Sequence, residues 1–157
     1  MEKLDKFLHR TLLWAIASLM FVMMGLTFTQ VVARYLMHHS LSWSEEVGRY
    51  VFVWISFLGL AAAFRSGAHV ALDILSDMLA PAPRRVLAII NTSFIALLAA
   101  ALFFGGIALM KFGMRQRSPA LDLPMYLVYV VIPISGVALG YFAVRSVWGH
   151  LTSKVED

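Results

Sequence analysis

The stretch Leu41-Ser-Trp-Ser-Glu-Glu-Val-Gly-Arg-Tyr50 sets two carboxylates, an arginine and a tryptophan against an apolar run that continues to Phe64. Charges that close to hydrocarbon need partners or water, and they mark a functional position. That the surroundings are hydrocarbon follows from composition. Of 157 residues, 61% are hydrophobic and 14% charged, with a mean hydropathy of +0.79. Soluble proteins carry about 25% charged residues, so this chain belongs in a bilayer. Its net charge of +4 does not point to nucleic acid. The basic residues sit at the ends of apolar segments, where lipid headgroups lie. With no cysteine in the chain, disulfides, thiolate nucleophiles and cysteine metal sites are excluded.

Working outward, the charge-free windows give the spans. Thr11 to Ala33, Val86 to Met110 and Leu123 to Val144 each exceed the roughly 20 residues that cross a bilayer. Tyr50 to Phe64 is shorter, about 22 Å as a helix, so this helix is expected to begin near Ser42 or Ser44, with Glu45, Glu46 and Arg49 in its first turns. The expected fold is an all-α integral membrane protein of one domain, 1–157. Its four spans lie at about 11–33, 44–65, 86–110 and 123–145. The first apolar run is too long for a cleaved signal and reads as an anchor.

Between the second and third spans, His69, Asp73, Ser76 and Asp77 recur three or four apart, with Val70, Ala71, Ile74, Leu75 and Met78 toward the other side. This predicts a short amphipathic interfacial helix at about 67–80, ended by Ala80-Pro-Ala-Pro83. It reads either as a brace against a partner or as a connector wetted on one side. In the third loop, Asp122 is placed to cap the fourth helix, with Pro124 in its first turn, and Pro133 should kink that helix. Gly136 and Gly140 have a spacing that permits close helix approach, and Gly59 is a further small residue in the second span. Four spans put both termini on one side. The termini and second loop hold eight Lys and Arg against five in the other loops, which favours cytoplasmic termini.

Catalytic patterns are missing. The five histidines lie at span ends or in loops, so no intramembrane pair offers heme ligation. No phosphate loop, HExxH or hydrolase triad pattern occurs. The chain reads as a non-enzyme without cofactor or metal. The span interiors hold no acid for proton exchange, which argues against stand-alone transport.

Trp43-Ser-Glu-Glu46 with Arg49, Phe57-Leu-Gly59, Arg65-Ser-Gly-Ala-His-Val-Ala-Leu-Asp73, and Ser118-Pro-Ala-Leu-Asp-Leu-Pro124 with Tyr129 and Pro133 together carry a family likeness. From about Asp5 to Trp148 the chain resembles the small membrane subunit of tripartite ATP-independent periplasmic (TRAP) transporters. The resemblance implies a multi-pass protein of the bacterial inner membrane, with both termini inside. It implies three partners: a large multi-span transport subunit that carries organic acid and sodium, a periplasmic substrate-binding protein, and phospholipid. Sodium coupling would lie in the large subunit, and this chain would be scaffold and docking surface. On that reading Trp43, Glu45, Glu46 and Arg49 face the periplasmic interface as a docking cluster, or form an internal ion-pair network through Glu46 and Arg49. Arg65, His69 and Asp73, spaced four apart, would brace the cytoplasmic interface. Two rivals from other classes are an anchor subunit of a redox or signalling complex and a small homo-oligomeric exporter.

Overall fold

The computed structural model describes residues 2–36, 41–65 and 81–152. Five helices fill them: α1 (Glu2–Leu36), α2 (Ser42–Arg65), α3 (Pro81–Gly113), the short α4 (Tyr126–Tyr129) and α5 (Val131–Thr152). Four stretches are long and apolar enough to cross a membrane: Asp5–Leu36, Ser42–Arg65, Ile90–Gly113 and Tyr126–Arg145. In hydrocarbon only intrahelical bonding satisfies the backbone of an isolated span. The hydroxyls in these spans follow the same rule. Ser18, Thr27, Thr29 and Ser56 each donate to the carbonyl four residues back, at 2.8 to 2.9 Å, so they reach lipid without an open donor.

The expectation of an interfacial helix between the second and third spans is corrected. Among the described residues no short amphipathic helix stands there, and residues 67–80 lie outside them. The Pro-Ala-Pro run that was expected to end such a helix instead opens α3 at Pro81. Proline suits a first turn because the N–H it lacks has no partner there anyway. The one short helix in the described fold, α4, belongs to the fourth span. Pro133 explains it: the Tyr129 carbonyl has no N–H four residues on to receive. The next bond, Ile134 N–H to the Val130 carbonyl, is long at 3.4 Å. The span is interrupted at Val130 while its backbone stays in the right-handed helical region.

The helices do not enclose one core. Among the described residues the backbone of α1 lies against α2, that of α2 also against α4 and α5, and that of α3 against α4 and α5. They form a row in the order α1, α2, α5, α3, with packing at the seams and two broad apolar faces. One cluster joins Leu12 of α1 and Leu58, Ala61 and Ala62 of α2 to Val131, Ala138 and Phe142 of α5. A second joins Ile95 and Ala99 of α3 to Leu139 and Ala143 of α5. The fourth span is therefore the spine, 56% buried, whereas the first is 6% buried.

Glycines allow the closest seam. A Cβ on Gly136 would lie 2.8 Å from the Phe103 backbone nitrogen, and one on Gly106 would lie 2.5 Å from Cδ of Pro133. The proline ring that breaks the fourth span thus fits against a missing side chain on α3. Gly106→Ala should lower thermal stability in detergent by the overpacking cost of about 1–3 kcal/mol, since the ring cannot swing away. Gly105→Ala, which meets open space, should leave the melting curve in place.

Candidate functional site

Polar chemistry collects at the two ends of the row. At the end opposite the termini, Ser44 caps its own turn: its hydroxyl and its N–H both donate to the Leu41 carbonyl, at 2.8 and 3.0 Å. This winds α2 from Ser42 and puts Glu45 and Glu46 in its opening turns. Glu45 is exposed and complements the positive helix end. Glu46 is 2% exposed. Its Oε1 receives the Tyr50 hydroxyl, and its Oε2 receives the Ala120 N–H at 2.8 Å. The carboxylate thereby ties α2 to the loop between α3 and α4.

That loop is closed on itself. Buried Ser118 donates its N–H to the Leu123 carbonyl at 2.8 Å and receives the Asp122 N–H on its own carbonyl at 3.1 Å. Its hydroxyl receives the Leu123 N–H at 3.2 Å. Arg117 and Pro124 form an isolated antiparallel bridge, and the Arg117 guanidinium donates to the Asp122 carbonyl at 3.0 Å. Asp122 takes a left-handed φ of 52°, a conformation Asp adopts more readily than most residues. It does not cap the fourth span as expected. α4 starts at Tyr126 behind Met125, with no side-chain cap, because the loop's own backbone pairing occupies the residues before it. Between this loop and α2 lies an open groove of about 470 Å³, lined by Arg49, Tyr50, Gln116, Arg117, Pro119 and Met125.

At the end with the termini, Arg65 closes the hairpin of α1 and α2. Its Nε and Nη2 donate to Oδ2 of Asp5 at 2.9 and 2.5 Å, and Asp5 is 5% exposed. Asp5 Oδ1 and His9 Nδ1, one turn apart, are enclosed with no hydrogen-bond partner among the described residues. No group of three metal-ligating side chains occurs among the described residues.

Residues 23–153 match the family model described as tripartite ATP-independent periplasmic transporters, DctQ component. The chain belongs to that family. DctQ components are non-catalytic parts of transport systems, so this is a TRAP transporter small permease and not an enzyme. A small permease protein of Haemophilus influenzae is 28% identical over 87% of this chain and 85% of its own length. The isethionate TRAP transporter permease protein DctMQ of Oleidesulfovibrio alaskensis is 32% identical over 83% of this chain, which spans 21% of that protein. The C4-dicarboxylate small permease DctQ of Rhodobacter capsulatus is 35% identical over 60% of this chain and 43% of its own length.

Within this small permease the four residues of the first cluster separate. Trp43, Glu45 and Arg49 are exposed, whereas Glu46 is buried under the loop. Glu46 bonds to Tyr50 and Ala120 rather than to Arg49. At the other end Arg65 finds Asp5, sixty positions away, while His69 and Asp73 lie outside the described residues. Of the named glycines, Gly136 abuts α3 and Gly140 meets the Ala99 Cβ at 3.7 Å, while a Cβ on Gly59 would meet nothing. Sequence reasoning missed Asp5, the bonding roles of Tyr50 and Ser118, and the close approaches at Gly106 and at Gly113, where a Cβ would lie 2.7 Å from the Tyr129 ring. The seven-residue spacing of Gly106 and Gly113 is the one signal that puts a pair of them on a common face.

Two outcomes follow from these clamps. Glu46→Ala should speed amide hydrogen exchange across 117–124, read by mass spectrometry in detergent, because the Ala120 N–H loses its acceptor. Arg65→Met should lower thermal stability more than the double variant Asp5→Leu, Arg65→Met, since the single change strands a buried carboxylate.

Proposed function

We propose that this small permease is the fixed scaffold of a TRAP-type secondary transporter for organic acids, in the bacterial inner membrane with both termini cytoplasmic. It holds a large multi-span transport subunit and offers a docking surface to a periplasmic substrate-binding protein. The observation that carries the reading is the open row. Its first three spans are 6%, 17% and 11% buried, so most of the apolar surface is left for lipid or for another membrane subunit. The isethionate relative supports the second, because there the similar stretch is 21% of a longer permease chain.

The described spans hold Asp/Glu only in their opening turns: Asp5 and Glu46 are engaged by bonds within the chain, and Glu45 is exposed at the start of α2. With no acid deeper in a described span, sodium coupling is assigned to the large subunit. Substrate choice belongs to the other subunits too. This chain is about as similar to a relative named for isethionate as to one named for C4-dicarboxylates. Eight of thirteen Lys and Arg lie toward the termini, which supports cytoplasmic ends by the positive-inside rule. Trp43 and Glu45 then face the periplasm at the headgroup level, beside the loop that Glu46 holds in place.

Pull-down of the tagged chain from its native membrane in mild detergent tests the reading. Mass spectrometry should find a large multi-span permease in stoichiometric amount and a periplasmic binding protein in smaller yield. Recovery of the chain with itself alone, or with a redox enzyme, would contradict it and favour the exporter or anchor alternatives. Within the intact complex, Glu45→Gln should reduce solute uptake without changing subunit recovery. Full uptake at normal expression would remove Glu45 from the docking surface.

A further inference from the structure

The outward face of α2 runs without interruption across the membrane. Glu45, Arg49, Phe52, Ser56, Leu60 and Ala63 are all exposed, at helical spacing, along about 27 Å. Neither Glu45 nor Arg49 has an ion-pair partner among the described residues. Arg49 leans into the groove it shares with Arg117. The carboxylate nearest Arg117, that of Asp122, lies 3.7 Å from it and is largely exposed. Among the described residues the groove is lined by two guanidinium groups and no carboxylate.

Depth makes this surplus costly. Arg49 stands sixteen residues before Arg65 on one helix, so the two positions are about 24 Å apart. That is less than the roughly 30 Å of the hydrocarbon layer. With Arg65 held by Asp5 at one interface, Arg49 lies at or inside the other, facing outward. A cation at that level requires a counter-charge or water, and among the described residues Arg49 has no ion pair, not even with Glu45 one turn before it on the same face.

We propose that the α2 face seats a transmembrane helix of the large permease subunit, and that a carboxylate on that helix pairs with Arg49. The proposal rests on the scaffold reading above and locates its interface. The isethionate relative joins the similar stretch to a longer permease in one chain, which places a membrane protein beside it. The arginine fork sets the chemistry of the contact, since its geometry matches a carboxylate. The face is also low enough for a helix to come close. Ser56 and Ala63 are small, and Gly59 beside them has open space where its side chain would be. Phe52 and Leu60 stand out from the same face, alternating with these small positions, as anchors for the incoming helix.

The absence of cysteine makes the test direct. Phe52→Cys and Leu60→Cys on α2, with Phe21→Cys on α1 and Phe94→Cys on α3, are labelled with benzophenone maleimide in membranes that contain the whole complex, then irradiated. The α2 positions should cross-link strongly to the large permease and the other two weakly. In the same membranes Arg49→Glu should lower co-recovery of the permease roughly ten-fold, a loss of about 1.4 kcal/mol, and Arg49→Lys, which keeps the charge and loses the fork, should lower it less. Permease cross-links from Phe21→Cys or Phe94→Cys in place of α2, or lipid adducts alone at both α2 positions, would overturn the proposed seat while leaving the scaffold reading intact. Failure of the unaltered chain to recover any large permease would overturn the scaffold reading itself.

Discussion

The carboxylate of Glu46 is the interaction on which the geometry of the loop end depends. Helices in a bilayer gain little from hiding apolar surface from one another, because lipid tails are apolar too. Close contact and polar bonds must therefore set the arrangement. Glu46 spans two halves of the chain: it grows from α2, and it holds the loop that launches α4 and α5. Without it, α2 and α5 would meet through their apolar seam alone. Asp5 and Arg65 do the same for α1 and α2 at the opposite end. Between these clamps the glycine contacts at Gly106 and Gly136 fix how α3 lies on the broken fourth span.

The open row follows from the same facts. A chain of four spans can close into a bundle only if its outer helices meet, and among the described residues α1 and α3 do not. α2 and α5 are the two inner helices of the row, and α5 is the most buried of the four spans. The arrangement presents broad apolar faces joined to polar ends, which suits a subunit that is completed by another membrane protein. This is the physical content of the proposed scaffold role, and family membership agrees with it.

The four spans were legible because charged residues bracket apolar windows, and the cost of burying charge in lipid enforces that pattern. Their exact ends were less so. α1 and α3 continue as helix beyond the charge-free windows, since a helix need not stop where hydrocarbon does. The sequence grouped Trp43, Glu45, Glu46 and Arg49, but it did not join Glu46 to its partners Tyr50 and Ala120. Spacing along a helix exposes neighbours three or four apart, such as Arg49, whereas Ala120 is 74 positions away. Arg65 was grouped with His69 and Asp73 for the same local reason, and Asp5 was overlooked. Two prolines were misplaced in role: Pro81 opens α3, and Pro124 pairs in the loop instead of starting a helix. Proline shows that a helix boundary is near without showing on which side of it the helix lies. The reading of Pro133 as a kink needed no partner, because its missing N–H acts within its own helix.

The central claim is that this chain enables transport by a larger subunit and carries nothing itself. Solute uptake into proteoliposomes tests it most directly, comparing the chain alone, the large permease alone and the two together, each with the binding protein and a sodium gradient. The account predicts uptake only when both membrane subunits are present. Uptake by this chain alone, or full uptake by the large permease without it, would contradict the account.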